Sequence, residues 1–342
     1  MLNSYKNCDD AFIIAEVGQN HQGEPELALK YVREFSKVGA NAIKFQTRNN
    51  KELFAEEAYN KPYESENAFA TTYGEHREKL ELPVEFLKEL KDECKKSNVQ
   101  FMSTPFDEPS LDFLLRLNVD ILKIASFDLG NLPFIKKVAQ AKKPTVLSVG
   151  GGNSEQIQES VNLLNEYCKE VAVLHCVSEY PCSHDKLGLD QIEKLKELYP
   201  NNLIGLSDHF SGILSGPVAY MKGARIFEKH VTFNRTWKGT DHNFALNLDG
   251  FRKFCRDIRR VPDMLKPKRE SEIGTEQVFK KLGKSLTPSI DMYEGEVVTI
   301  DNLSGKIFNK TYIPARESFR VIDRKLKANV KAGEPLVWGY LE

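Results

Sequence analysis

What this sequence lacks narrows its function before any motif is read. It has no excess of either charge, with 48 Lys and Arg against 49 Asp and Glu among 342 residues. Proteins that grip nucleic acid or an anionic membrane surface carry a basic excess, so neither partner is expected. A small anionic substrate stays open, because a few lysines suffice for one. No apolar run approaches the roughly 20 residues that span a bilayer, and the stretch 12–17 is bounded by acidic residues. Nor is there a basic start followed by an apolar stretch and a small-residue cleavage site, so the expected address is cytoplasmic. None of the six cysteines (Cys8, Cys94, Cys168, Cys176, Cys182, Cys255) forms a CxxC pair. In a chain this long they read as reduced, mostly buried thiols. No nucleophile elbow and no GxGxxG after the first strand appear, which lowers acyl-enzyme and hydride-transfer chemistry.

What is present is an alternation of short β-rich runs and helical patterns over the first two-thirds. Candidate strands cover 12–17, 42–46, 99–103, 121–124, 145–149, 171–175, 203–207 and 226–230. Each is short and apolar, as parallel strands covered on both faces are. Tyr31, Val32 and Phe35 share one helix face that stops at Gly39. Ile157, Val161, Leu164 and Cys168 share another, entered through Asn153 or Ser154 as N-cap. Eight strand–helix units make the count of a (β/α)₈ barrel, an α/β fold, although a doubly wound open sheet shares this pattern. The connection 47–83 is unusually long and, lying at the catalytic face of a barrel, could form a lid. The barrel is expected over 1–265, and a linker marked by Pro262, Pro267 and the basic cluster Lys266, Lys268 and Arg269 runs to 282. A β-rich module punctuated by glycines follows over 283–342.

In a barrel the reacting groups project from strand C-termini. The first strand ends in Glu16, with Asn20 and His21 close behind. The second delivers Lys44 and Gln46, the third Ser103 and Thr104, the fourth Lys123 and Ser126, and the fifth Ser148 before three glycines. The sixth ends His175-Cys176 with Tyr180 beyond, the seventh Ser207-Asp208-His209, and the eighth Glu228-Lys229-His230. A rim lysine is usually solvated, but Lys44 and Lys123 sit inside AIKFQ and ILKIA, where an unpartnered charge costs several kcal/mol. Two such lysines point to a buried anion, phosphate or carboxylate, with Ser126, Ser148 and Ser207 as further donors. His209 and His230 end neighbouring strands; with Glu16, Asp208 and Asp241 nearby they could hold a divalent ion such as Mn²⁺. The glycines at 150–152 resemble a phosphate cradle, a pattern also common in ordinary turns. An anion site beside an open metal suits addition to a carbonyl.

The blocks FIIAEVGQNHQG, AIKFQ, LKIAS, LHCVSEYP, GLSDH and EKHVTFNRTWKGTDH, followed by GKSL and the tail, resemble the sialic acid synthase family along essentially the whole chain. TYGEHREKLEL and RTWKGTDH are similar to its animal-type branch, which makes a nine-carbon sugar acid 9-phosphate, and the tail resembles an antifreeze-like (SAF) domain. The resemblance implies condensation of phosphoenolpyruvate with the open-chain aldehyde of N-acetylmannosamine or its 6-phosphate. It implies His209 and His230 as metal ligands, for Mn²⁺ or else Mg²⁺ or Co²⁺, and Lys44, Thr104, Lys123, Ser126, Ser148 and Ser207 as phosphoenolpyruvate contacts. Glu16 matches a polar group at the reacting centre and Asp128 a water-activating carboxylate. Gln46, Tyr180 and Asp241 match the sugar side. A domain-swapped homodimer is implied as well.

Three positions depart from the family pattern: Phe127 replaces a small residue, Ser178 stands where some members have Asn, and Ile307 replaces an Arg that meets an N-acetyl group. Other acceptors therefore stay open, among them a 2,4-diamino sugar of legionaminate or pseudaminate type and mannose or its 6-phosphate. A pentose phosphate is disfavoured by the tail. A non-catalytic glycan- or ice-binding protein is the alternative of another class.

Overall fold

Eight parallel strands close on themselves in chain order in the computed structural model, which describes all 342 residues. They are β1 (Phe12–Gly18), β2 (Ala42–Thr47), β3 (Gln100–Pro105), β4 (Ile121–Ile124), β5 (Thr145–Ser148), β6 (Val171–Cys176), β7 (Leu203–Asp208) and β8 (Ile226–His230). Pairing of β8 back onto β1, from Phe12 opposite Ile226 to Glu16 opposite His230, excludes the open sheet. The expected strands hold to within two residues at each end.

Between strands run α1 (Pro25–Lys37), α5 (Leu87–Lys96), α6 (Glu108–Arg116), α7 (Leu132–Gln140), α8 (Ser154–Tyr167), α9 (Gln191–Leu198), α10 (Ser215–Met221) and α11 (Leu248–Leu265). Three short helices, α2 (Asn50–Leu53), α3 (Glu56–Tyr59) and α4 (Tyr73–Glu78), occupy the long connection after β2. Local chemistry sets the ends. Asn153 caps α8 by accepting from the Gln156 backbone N–H, and the Gln156 side chain accepts from Asn153 in return. Gly39, at φ +114°, turns the chain after α1. Pro262, expected in the linker, lies inside α11, whose buried face carries Phe251, Phe254, Cys255, Ile258 and Val261. A proline so near the end gives up one backbone donor in the final turns without displacing that face.

Side chains alternate between the barrel interior and the strand–helix layer. The outer layer is the larger core, with Ile13, Val17, Phe45, Phe101, Leu122, Leu147, Val173, Leu206 and Phe227 among its strand residues. The interior base is apolar: Phe12, Ile14, Ala42, Met102, Ile121, Val146, Ala172, Leu174, Leu203 and Ile226, closed from below by Leu2 of an N-terminal 3₁₀ turn. Two residues further along the same strands the interior turns polar. That step positions the site.

The chain forms two compact units, Met1–Leu265 and Lys266–Glu342. In the second, 266–282 holds a 3₁₀ turn and α12 (Gln277–Leu282), followed by an antiparallel pair, β9 (Ser285–Pro288) and β10 (Leu303–Lys306). Its own core gathers Leu286, Met292, Val298, Ile313, Val321, Leu326, Val330, Leu336 and Leu341. No helix is long and apolar enough to cross a membrane.

Candidate active site

A cavity of about 670 Å³ opens at the C-terminal ends of the barrel strands. Glu16, Lys44, Gln46, Thr104, Lys123, Ser126, Ser148, Tyr180, Ser207, His209, His230 and Asp241, all marked out by the sequence, line it. Asp128 does not: its carboxyl lies beside the wall, accepts from Asn131 Nδ2 at 3.0 Å, and is raised above the usual aspartate range by burial. Several polar atoms facing the cavity are buried without a hydrogen-bond partner: Ser148 Oγ, Glu228 Oε2, His230 Nδ1, Arg77 Nε and Gln19 Nε2. Each such atom costs about 1–3 kcal/mol, so a cluster of them marks a surface built to meet a ligand.

At the floor, the two lysines are held by carboxylates rather than left free. Lys44 Nζ lies 2.9 Å from Glu16 Oε2 and 3.5 Å from Glu228 Oε1, and donates to Thr104 Oγ1 at 3.1 Å. Lys123 Nζ is 3.9 Å from the same Glu228 oxygen and donates to the Ile124 carbonyl at 3.0 Å. Ser207 Oγ donates to Glu228 at 3.3 Å. Burial and the neighbouring Glu228 charge outweigh Lys44 and raise Glu16 to about 7. Burial pushes Glu228 up too, but Lys123 and Lys44 outweigh it and hold that carboxylate below its usual range. Burial lowers Lys123, and Glu228 only partly offsets it. When Glu16 is protonated, two ammonium groups face one carboxylate, and the floor is electropositive.

His209 and His230 adjoin, with ring centroids 5.4 Å apart, and the Tyr180 ring covers His209 at 4.0 Å. His209 Nδ1 donates to the Val177 carbonyl at 2.8 Å, which leaves Nε2 as the acceptor nitrogen. His230 is kept neutral by burial, only partly offset by Asp241, whose Oδ2 lies 3.7 Å from its unpartnered Nδ1. Two imidazoles on neighbouring strand ends fit an open divalent site completed by substrate oxygens. Asp208 does not join them. It points into the strand–helix layer, where it pairs with Lys229 at 2.7 Å and accepts from the Phe210 N–H at 2.9 Å. No group of three or more His, Cys, Asp or Glu side chains is arranged so as to hold an ion by itself.

The long connection after β2 is a packed wall rather than a loose lid. His76 accepts from the Phe69 N–H at 3.1 Å and packs among Tyr63, Phe69 and Tyr73. Arg48, Leu53, Phe54, Tyr73 and Arg77 from this segment line the cavity. The other residues near the strand ends are structural. Asn20 Nδ2 donates to the Val231 carbonyl, His21 Nδ1 accepts from the Gly23 N–H, and His175 Nε2 bonds to the Leu187 carbonyl. In the glycine turn, the Gly150 N–H donates to Ser126 Oγ at 3.0 Å, and a Cβ there would meet Ser178 Oγ at 2.5 Å.

The pattern of the NeuB family matches residues 31–270, most of the barrel. The chain belongs to the NeuB family. It is 30% identical to N-acetylneuraminate-9-phosphate synthase of Homo sapiens over 95% of this chain and 91% of that protein. It is 34% identical to N,N'-diacetyllegionaminic acid synthase of Campylobacter jejuni, over 86% of this chain and 89% of that one. Among solved structures, N-acetylneuraminic acid synthetase of Leptospira borgpetersenii in complex with citrate superposes with a TM-score of 0.68 at 33% identity. That match covers 77% of this chain and 89% of the other.

In this NeuB-family barrel, the cavity lining also includes Glu228 and Cys176, named in the sequence at strand ends without a role, and Phe106, Arg48 and Arg77, which were not singled out there. Glu228 had a signal. If His230 points inward, the residue two before it does as well, and Lys229 between them points out. The same alternation places Cys176 inside and His175 outside. Arg48, two residues beyond Gln46, had the same signal; Arg77 had none, because the fold of the 47–83 segment brings it to the cavity. Phe127, exposed at the wall, is the departure that reaches the cavity; Ile307 belongs to the C-terminal unit and is exposed there.

Proposed function

We propose that this barrel condenses phosphoenolpyruvate with the open-chain aldehyde of an N-acetylmannosamine-type sugar or its 6-phosphate, giving a sialic-acid-type nonulosonate and inorganic phosphate. The observation that carries the reading is the pair of interior lysines, Lys44 and Lys123, at the floor of a cavity that also holds His209 and His230. The family supplies the rest: relatives named as 9-phosphate, legionaminic and pseudaminic acid synthases align over 95%, 86% and 99% of this chain.

The lysines, with Thr104, Ser126, Ser148 and Ser207, would hold the phosphate and carboxylate of phosphoenolpyruvate. His209 and His230 would hold a divalent ion, Mn²⁺ first and Mg²⁺ or Co²⁺ after it, which supplies Lewis-acid polarisation of the aldehyde when bound. Gln46, Tyr180 and Asp241, which line the same cavity, would meet the sugar hydroxyls. Carbon 3 of phosphoenolpyruvate bonds to the aldehyde carbon, and water adds to the resulting cationic carbon 2. Glu16, poised near neutral pH, takes that water's proton and returns it to the new alkoxide. The carbon 2 hydroxyl then passes its proton to the departing phosphate as the bond from carbon 2 to the phosphate oxygen breaks and the 2-keto group forms. Asp128, outside the cavity wall, is less well placed for this proton.

Incubation of the purified chain with Mn²⁺, phosphoenolpyruvate and each candidate aldose should release phosphate and yield a product of the summed mass. Silence across N-acetylmannosamine, its 6-phosphate and mannose 6-phosphate would sink the assignment. The same family likeness supports a cytoplasmic homodimer in which the C-terminal unit reaches its partner. Light scattering of a chain ending near Gly274 tests this, since an unchanged and fully active dimer contradicts it.

A further inference from the structure

We propose that Arg48 and Arg77 form a second anion subsite, at the mouth of the cavity, that takes the terminal phosphate monoester of the acceptor; this rests on the synthase reading above and names its substrate class. Phosphoenolpyruvate is accounted for at the floor by Lys44 and Lys123. Two further guanidinium groups line the same cavity, and nothing in the condensation of a neutral sugar calls for them.

Their surroundings are those of a prepared fork. Arg48 is buried, with its guanidinium 4.0 Å from the centre of the Phe106 ring, and Nη1 lies 3.1 Å from Glu81 Oε1 while Nη2 donates to Gln46 Oε1. Burial, then the neighbouring Arg77 charge, lowers Arg48 to about 10. Arg77 donates Nη1 to Gln19 Oε1 at 2.8 Å, and its buried Nε finds no partner. Gln19 Nε2 is buried and unpartnered beside it. Glu81 backs Arg48 from outside the cavity lining, and Asp241, which lines the cavity and accepts from Thr240 Oγ1 at 2.9 Å, is a second carboxylate whose charge reaches Arg48. Two adjacent guanidiniums with spare planar N–H donors match the oxygens of a phosphate, and a stacked guanidinium loses little entropy on binding.

The subsite is also placed where an acceptor would end. Gln46 donates Nε2 to Glu16 Oε1 at 2.8 Å and contacts Arg48 with its oxygen, so one side chain bridges the reacting centre and the arginines. An open-chain sugar with its aldehyde by Glu16 would run past Gln46 and present its far end to Arg48 and Arg77.

The experiment compares N-acetylmannosamine with its 6-phosphate, using the full chain, Mn²⁺ and phosphoenolpyruvate. Wild type should favour the phosphorylated acceptor by about 100-fold in kcat/KM, the range expected of charge-assisted hydrogen bonds. In Arg77→Gln and Arg48→Gln that ratio should fall to within about tenfold of unity, mainly through KM, while Arg77→Lys keeps part of it. Calorimetry without phosphoenolpyruvate reads the same subsite directly: affinity for the 6-phosphate should drop at least about tenfold in Arg77→Gln, and affinity for phosphoenolpyruvate alone should stay within about twofold. Equal use of the two acceptors by wild type, or a ratio that ignores both substitutions, overturns the subsite and leaves the synthase reading standing. No turnover of any aldose sinks the synthase reading, and the calorimetric comparison still decides the subsite, since 6-phosphate binding that ignores Arg77→Gln overturns it.

Discussion

The base and the rim of this barrel are built by the same eight strands and the same alternation, yet they do opposite work. At the base Phe12, Ile14, Ala42, Met102, Ile121, Val146 and Ile226 fill the interior with apolar surface, the larger side chains among them each worth about 1.5–3 kcal/mol when fully buried. One interior step later, Glu16, Lys44, Lys123, Ser148 and Glu228 are just as buried, but as charges and hydroxyls that satisfy one another incompletely. Burying ion pairs this way is neutral or costly for stability. The rim is therefore carried by the base: stability is concentrated where no chemistry occurs, and reactivity where the fold is under electrostatic strain.

Substitutions that separate the two layers test this. His209→Ala at the rim should lower kcat for phosphate release by about 10³-fold or more while the melting temperature moves only a few degrees. If stability collapses instead, the division between layers fails. Ile14→Ala at the base should do the reverse, costing about 2–5 kcal/mol in denaturant unfolding with turnover largely kept in the folded fraction.

A smaller effect lies in pH. Glu16, raised to about 7 when folded, binds its proton more tightly in the native state than in the unfolded one. Its contribution to stability is thus present below about 4.5 and lost as pH rises through about 7. Glu16→Gln should flatten that decline and remove the acidic limb, near pH 7, from the rate profile. Retention of both would dismiss Glu16 as the titrating group. The smallest effect runs the other way and lies outside the rim. His21, lowered by burial to about 3, and His76 and His242, each lowered by burial to about 4, are neutral when folded. Their contribution is present above the ordinary histidine value of 6.5 and lost as pH falls through about 4 to 3. Melting temperatures between pH 7 and 4 should fall less in His242→Gln than in wild type; an identical slope would remove His242 from this account.

Much of the rim was legible in the sequence because charge inside an apolar strand has few explanations. Lys44 and Lys123 stood out on that ground alone, and both line the cavity. Asp208 misled because a strand end offers adjacent polar residues, and only the direction of each side chain tells site from support. Alternation anchored on Ser207 or His230 turns Asp208 and Lys229 outward together, where they form their own buried pair.

The sequence by itself determined the barrel's strand count, the apolar character of its strands and most of the reactive groups at their ends, since these follow from local hydrophobic patterning and from the expense of burying charge. Whether eight strands opened into a sheet or closed into a barrel was decided by the pairing of β1 with β8, a contact between the ends of the barrel unit. Tertiary structure alone also gave Glu228 its two lysines and set Arg48 and Arg77 side by side across the 47–83 segment. Those relations join distant stretches of chain, and no local period records them.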